Sequence, residues 1–63
     1  MNTKLLTAMG GTLLDVQNGV VLVELDHGYQ RHVTWQYSPE GFYWGHYYNT
    51  ALEARTDFIN RSK

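Results

Sequence analysis

The sequence contains no cysteine, a single proline and no marked excess of charge of either sign. Without thiols, a disulfide scaffold and a thiolate zinc site are both excluded, and nothing points to an oxidising compartment. Five basic and six acidic side chains give a formal net charge of −1. This balance lacks the basic excess typical of nucleic-acid-binding proteins, and it is too small for a protein that imitates DNA by acidity.

Long apolar runs are also absent. The N-terminal segment MNTKLLTAMGGTLLD is interrupted by two glycines and ended by Asp15, which makes it too short for a signal peptide. No stretch approaches the roughly 18 apolar residues that cross a bilayer. We therefore expect a cytoplasmic protein that forms one small domain over residues 1–63. Within it, residues 1–10 fit a mobile arm, an added strand or a short helix.

Aromatic residues are abundant instead, since the segment TWQYSPEGFYWGHYY, residues 34–48, contains seven rings. It follows a first hairpin, TLLDVQNGVVLVEL, in which Asn18-Gly19 is typical of a two-residue loop with positive φ at both positions. This loop pairs Val16 with Val21 and Leu14 with Val23. One face of the hairpin is then apolar, and we expect it to be the core face.

The second turn, LDHGY, is assigned by register. A three-residue loop, Asp26 to Gly28, pairs Leu25 with Tyr29 and places Val33, Trp35 and Tyr37 on the core face, with Arg31 at its rim. A two-residue loop would place Gln30, His32 and Thr34 there instead. The three-residue loop is favoured because a slip of one residue reverses every side chain.

The third turn, YSPEGF, fits two registers. A three-residue loop pairs Ser38 with Phe42 and directs Phe42, Trp44, His46 and Tyr48 away from the core. A four-residue loop pairs Tyr37 with Phe42 and directs Tyr43 and Tyr47 outward instead. We favour the first by analogy with the preceding loop.

The chain ends in a predicted helix over residues 51–62, opened by a capping box of Thr50 and Glu53. The expected fold is α+β, a four-stranded antiparallel β-meander with this helix packed on one face. The predicted core consists of Leu14, Val16, Val21, Val23, Leu25, Val33, Trp35, Leu52, Phe58 and Ile59.

Chemical sites are weakly indicated. The serines follow no nucleophile pattern, no Asp–His pair is placed to activate one of them, and AMGGTLL lacks the lysine of a phosphate loop. His32 and His46 would share a face in the three-residue register, but a third metal ligand is not apparent. We expect no enzyme activity, no metal and no cofactor.

One short helix covers one face of a small sheet, so large rings remain on the other, and such patches are typical of interaction surfaces. The expected function is a non-catalytic protein–protein interaction module, homodimeric, acting sterically as an inhibitor or adaptor. The predicted contact residues are Trp44, Tyr48 and Phe42, with Tyr43 and Tyr47 for the other register and Arg31 and His46 as polar members. The alternative is an aromatic platform that stacks single-stranded nucleic acid beside Gln30, Arg31, His32 and Gln36.

The aromatic segment followed by NTALEARTDFINR resembles small accessory proteins of bacteria and their viruses. Small, cysteine-free chains with a large contact face are typical of virus-borne inhibitors of host machinery. The resemblance matches no family motif, so it implies no functional residues, and it supports the inhibitor hypothesis by analogy alone.

Overall fold

The computed structural model describes residues 3–63 and confirms the α+β fold. The elements are α1 (Thr3–Ala8), β1 (Gly11–Gln17), β2 (Val20–Leu25), β3 (His32–Ser38), β4 (Gly41–Tyr48) and α2 (Ala51–Arg61). The four strands form one antiparallel sheet in the order β1-β2-β3-β4. The sheet is therefore open, with β1 and β4 as its edges.

The first hairpin has the predicted turn and one unpredicted irregularity. Asn18 and Gly19 both have positive φ, 50° and 79°, and Val16 pairs with Val21. The predicted pair of Leu14 and Val23 is wrong, because a β-bulge at Leu14 moves Leu13 opposite Val23. The extra residue leaves Leu14 43% exposed, outside the core in which we expected it.

The second connection is longer than predicted but keeps the predicted faces. Val23 pairs with Val33, and the backbone N–H of Leu25 bonds to the carbonyl of Arg31, so residues 26–30 form the loop. The predicted pair of Leu25 and Tyr29 is wrong, and Tyr29 is 90% exposed. The register differs from the prediction by two residues, and a shift of two preserves which side chains share a face.

The pairing of β3 with β4 combines both of the registers that the sequence left open for the third turn. Beside the turn, Tyr37 pairs with Phe42, as in the four-residue alternative, although the loop is shorter and Ser38 pairs with Gly41. Beyond a bulge, Thr34 pairs with His46, as in the three-residue alternative. Strand β4 therefore changes register at the bulge, and each alternative is right for half of the strand.

The sheet has two apolar faces. The Trp35 face is defined by the buried cluster Val21, Val23, Val33 and Trp35, which α1 joins through Leu6. The α2 face is defined by Val20 and Leu22, which pack with Ala54, Phe58 and Tyr48. Both faces contribute to the core because residues 20–23 are all buried, and successive strand residues point to opposite sides.

The N-terminal segment forms a short helix, α1, which is one of the three alternatives that the sequence left open. Residues 3–8 are helical, and Leu6 is 2% exposed within the cluster on the Trp35 face. Gly10, with φ of 80°, turns the chain into β1, and a side chain there would collide with Asp26. The part of the arm prediction that concerns residues 1 and 2 lies outside the described residues.

Helix α2 packs on the face opposite to the one predicted. Thr50 caps it by accepting from the N–H of Glu53, and its hydroxyl donates to the Glu53 carboxylate. The helix buries Ala54 and Phe58 against Val20 and Leu22. The core prediction is wrong for Val16, Leu52 and Ile59, which are 40%, 76% and 51% exposed. Val16 lies on the Trp35 face, which α2 does not cover, and α2 turns its polar Asp57 and Arg61 towards Thr34 on β3.

Candidate functional site: the aromatic side of the sheet

Trp44 stands at the β4 bulge. The ladder passes from the pair Gln36–Tyr43 to the pair Thr34–His46, so Trp35 faces two residues, Trp44 and Gly45. Trp44 has a positive φ of 51°, unusual for a bulky residue, and is 74% exposed. The bulge therefore holds a large indole in solvent at a cost in backbone conformation.

Gly45 explains why the bulge sits there. A Cβ at this position would lie 2.5 Å from Nε1 and 2.9 Å from Cδ1 of Trp35, and 2.9 Å from Cε1 of Tyr47. Distances under 3.0 Å are not tolerated, so only glycine lets β4 pass this close to the Trp35 indole. The glycine after Trp44 is the one sequence signal that could have indicated a bulge.

Two further rings surround Trp35 on its face. Phe42 lies 5.4 Å from it between ring centroids, tilted by 39°, and is partly buried. Tyr47 meets it edge to face at 6.1 Å and remains 45% exposed. Both geometries are favourable for aromatic pairs. The result is an aromatic surface of Trp35, Phe42 and Tyr47, with Trp44 next to it along β4.

The structure separates the other predicted contact residues from this surface. Tyr48 packs against the α2-face cluster, and Tyr43, whose partner is Gln36, also lies on the α2 side. The Tyr43 hydroxyl donates to Glu40 at 3.3 Å. Arg31 lies directly after the second loop, and its Nε donates to the carbonyl of Gly28. Of the predicted set, Phe42 and Tyr47 are brought together around Trp35, and Trp44 lies between them along β4, at the bulge.

Charge is divided sharply between the two faces. The strand positions on the Trp35 face are Gly11, Leu13, Val16, Val21, Val23, Leu25, Val33, Trp35, Tyr37, Phe42, Gly45 and Tyr47. None of these described residues is charged. The strand carboxylates Asp15 and Glu24, and the imidazoles of His32 and His46, all lie on the α2 face. The Trp35 face is therefore apolar across the whole sheet.

Both edge strands are irregular. β1 contains the bulge at Leu14, and β4 contains the bulge at Trp44. Bulges at sheet edges interrupt the row of backbone groups to which another strand would pair. This arrangement disfavours addition of a strand at either edge and leaves the faces for contact with other molecules.

A polar cluster on the opposite side holds α2 to β3. Thr34 is fully buried, and its hydroxyl donates to Oδ2 of Asp57 at 2.6 Å. Arg61 Nη1 donates to the carbonyl and the hydroxyl oxygen of Thr34, at 3.1 and 2.9 Å. These bonds satisfy the polar groups that α2 brings to the sheet, which explains why the helix presents this side.

His46 completes the cluster, with its Nδ1 lying 3.0 Å from Oδ2 of Asp57. Burial opposes ionisation of Asp57, but hydrogen bonds from Thr34 and His46 outweigh it and lower the pKa of the carboxyl. Burial, reinforced by the charge of Asp57, raises the pKa of the Tyr48 phenol. The His46–Asp57 pair has no local sequence signal, because a strand and a helix bring the two residues together.

The polar groups of the cluster bond mainly to one another. The Thr34 hydroxyl already donates to Asp57 and accepts from Arg61, so it is not placed as a nucleophile for His46 to activate. Nearby, a shallow groove that opens to solvent is lined by Tyr48, Leu52, Glu53, Thr56, Asp57 and Asn60. Within residues 3–63, no three histidine, aspartate or glutamate side chains are placed to hold a metal ion.

The residues expected beside a nucleic-acid platform lie away from the Trp35 face. His32 and Gln36 are on the α2 face, and Gln30 and Arg31 are in or next to the second loop. A stacking platform places cationic groups beside the rings to meet the phosphates. The Trp35 face, which carries no charged strand residue, gives that alternative no support.

Across residues 3–63, no helix has the length and apolar character needed to span a membrane.

Comparison with known proteins gives no identification. No family model, curated protein or solved structure matches the chain.

Proposed function

We propose that this protein is a non-catalytic interaction module that binds a protein surface through Trp44 and the Trp35 face. The observation that carries the proposal is Trp44 itself, 74% exposed and held by a left-handed backbone conformation. Backbone strain of this kind is concentrated at functional sites. Tryptophan and tyrosine are also the side chains that dominate binding energy at protein interfaces.

The mode of action that fits this surface is steric. Phe42 and Tyr47 are held by their ring contacts with Trp35, so these two rings lose little conformational freedom on contact. A cytoplasmic inhibitor or adaptor of bacterial or viral origin would act in this way, by covering a surface of its partner. Asp57 and Arg61 on the α2 side are engaged in holding the helix to Thr34, which favours the opposite side for binding.

The test is retention of protein by the immobilised chain. The applied sample is a bacterial lysate supplemented with a differently tagged second copy of the same chain. We expect the immobilised wild-type chain to retain at least one protein from this sample that the immobilised Trp44→Gly chain does not retain. Tyr29→Ala is the matched control, because it removes a ring that is 90% exposed but lies in a loop outside the sheet. Equal retention by wild type and Trp44→Gly would contradict the proposal.

A further inference from the structure

We infer that the occupant of the Trp35 face is a second copy of this chain, related by a two-fold axis. This inference rests on the proposed function, since it names the partner of the same surface. Two-fold symmetric pairs are the commonest oligomers, and they require a patch that complements itself.

The absence of charge on the face favours this partner. An isologous contact brings equivalent regions of the two surfaces together, so any charged strand position near the axis would face its own like charge. The twelve strand positions of the Trp35 face carry no charge. The α2 face, with Asp15, Glu24 and the histidines, does not meet this condition.

The size of the internal core gives an independent reason. The buried hydrophobic side chains of the described residues are Leu6, Val20, Val21, Leu22, Val23, Val33, Trp35, Ala54 and Phe58, four of them valines. Chains of this length gain little stability from one core, and those without disulfides or metal often gain the remainder by oligomerising. A second copy would extend the cluster around Trp35.

The area available is sufficient for such a contact. Trp44, Tyr47 and Val16 are 74%, 45% and 40% exposed, and Leu13, Tyr37 and Phe42 are partly exposed beside them. Because an aromatic side chain presents roughly 150–250 Å² when fully accessible, this set offers on the order of 500 Å² per chain. A pair would bury about 1,000 Å² in total, which is the lower bound of specific interfaces.

Helix α1 sets the geometry of the pair. It covers the Gly11 end of β1 through Leu6 and Met9 and leaves the Val16 end of β1 and the β3–β4 side open. With the edges interrupted by bulges, the two sheets would meet face to face, with the Trp44 of each chain against the open part of the other. Sheets packed in this way lie about 10 Å apart.

Two adjacent β1 residues provide a matched test. Val16 lies on the Trp35 face, and Gln17, its neighbour, lies on the α2 face and is also exposed. Sedimentation equilibrium over a concentration series should give twice the monomer mass for the wild type. Val16→Lys should weaken the dimer at least tenfold, and Gln17→Lys should leave it unchanged. Tyr47→Arg, on the opposite edge strand, provides a second disruptive variant if Val16→Lys does not fold.

The outcomes separate the inference from the proposed function. A wild type that stays monomeric at all concentrations overturns the inference, while Trp44-dependent retention of a lysate protein would still support the proposed function. A dimer that resists both Val16→Lys and Tyr47→Arg also overturns the inference, because it forms through another surface. A monomer with no Trp44-dependent retention contradicts both.

Discussion

At the scale of single residues, Trp44 combines an unfavourable backbone with an unfavourable exposure. A left-handed conformation costs a non-glycine residue about 1–2 kcal/mol. An indole exposed to water also lacks the stabilisation that burial of its apolar surface would provide. Neither cost is recovered within the monomer, where Trp44 is 74% exposed. A contact outside the monomer is the remaining way to recover the second cost.

Two substitutions of Trp44 separate the ring from the backbone. Trp44→Ala and Trp44→Gly both remove the indole, but only glycine also relieves the positive φ of 51°. We expect Trp44→Gly to be more stable than Trp44→Ala by about 1 kcal/mol in urea unfolding under monomeric conditions. Equal stabilities of the two variants would show that the bulge conformation is not strained.

At the scale of elements, the sequence predicted the strands and the faces of β2 and β3 but not the bulges. The Asn18-Gly19 turn is encoded locally, since both residues tolerate positive φ. The face on which Val33 and Trp35 lie follows from the alternation of side chains along a strand, and a loop that is longer by two residues leaves this alternation unchanged. The bulge at Leu14 has no local signature, because nothing in LLDV distinguishes a paired leucine from an extra one.

The side of α2 that contacts the sheet was also beyond sequence reasoning. Helical periodicity groups Leu52 and Ile59 with Phe58, and burial of all three looked favourable. The helix instead presents Asp57 and Arg61 to the buried Thr34, where each polar group gains partners. Whether a threonine on β3 is buried depends on the register of the complete sheet. The contacts among Thr34, Asp57 and His46 therefore could not be predicted before the fold was known.

Helix α1 should contribute to stability through one side chain. Leu6 is 2% exposed in the cluster with Trp35, whereas the adjacent Leu5 is 39% exposed. We expect Leu6→Ala to lower the free energy of unfolding by about 2–4 kcal/mol, because it opens a cavity in the core. Leu5→Ala is the matched control and should lose less. Similar losses in thermal or urea unfolding would show that α1 contributes little through Leu6.

Helix α2 should respond to acid through Asp57. Its pKa in the folded chain is below the ordinary value of 3.8, so its contribution to stability is complete above that value. The contribution decreases as the pH falls below about 4 and is lost as the pH passes the lowered pKa. Unfolding measured from pH 6 to pH 2 should show this decrease in the wild type.

The Asp57→Asn variant tests that assignment. It should be less stable than the wild type at pH 6, because the amide accepts more weakly from Thr34 and His46. Its stability should then fall less on acidification. Asp15 also has a lowered pKa, chiefly through its hydrogen bond from Arg55, so Asp15→Asn measures the separate contribution of that exposed pair. An acid response of Asp57→Asn identical to that of the wild type would exclude the cluster as its source.

At the scale of the whole molecule, the chain divides its chemistry between two sides of one sheet. The α2 side holds the strand carboxylates and histidines, and hydrogen bonds of Arg61 to Thr34 and of Arg55 to Asp15 tie the helix to it. The Trp35 side carries apolar groups, and α1 covers part of it. This division predicts that self-association of the chain does not depend on its charged residues, because the surface proposed for contact has no charged strand residue.

The dependence of self-association on salt tests this division. Ionic contacts between surfaces weaken as the Debye length falls from about 10 Å at 0.1 M salt to about 3 Å at 1 M, whereas apolar contacts do not. We therefore expect the dimer dissociation constant, measured by sedimentation in NaCl over that range, to change by less than about threefold. Glu24→Gln, which removes a charge from the α2 face, should leave it unchanged and serves as the control. A tenfold weakening at high salt would instead place charged residues at the interface, and those lie in α1, in the loops and on the α2 side.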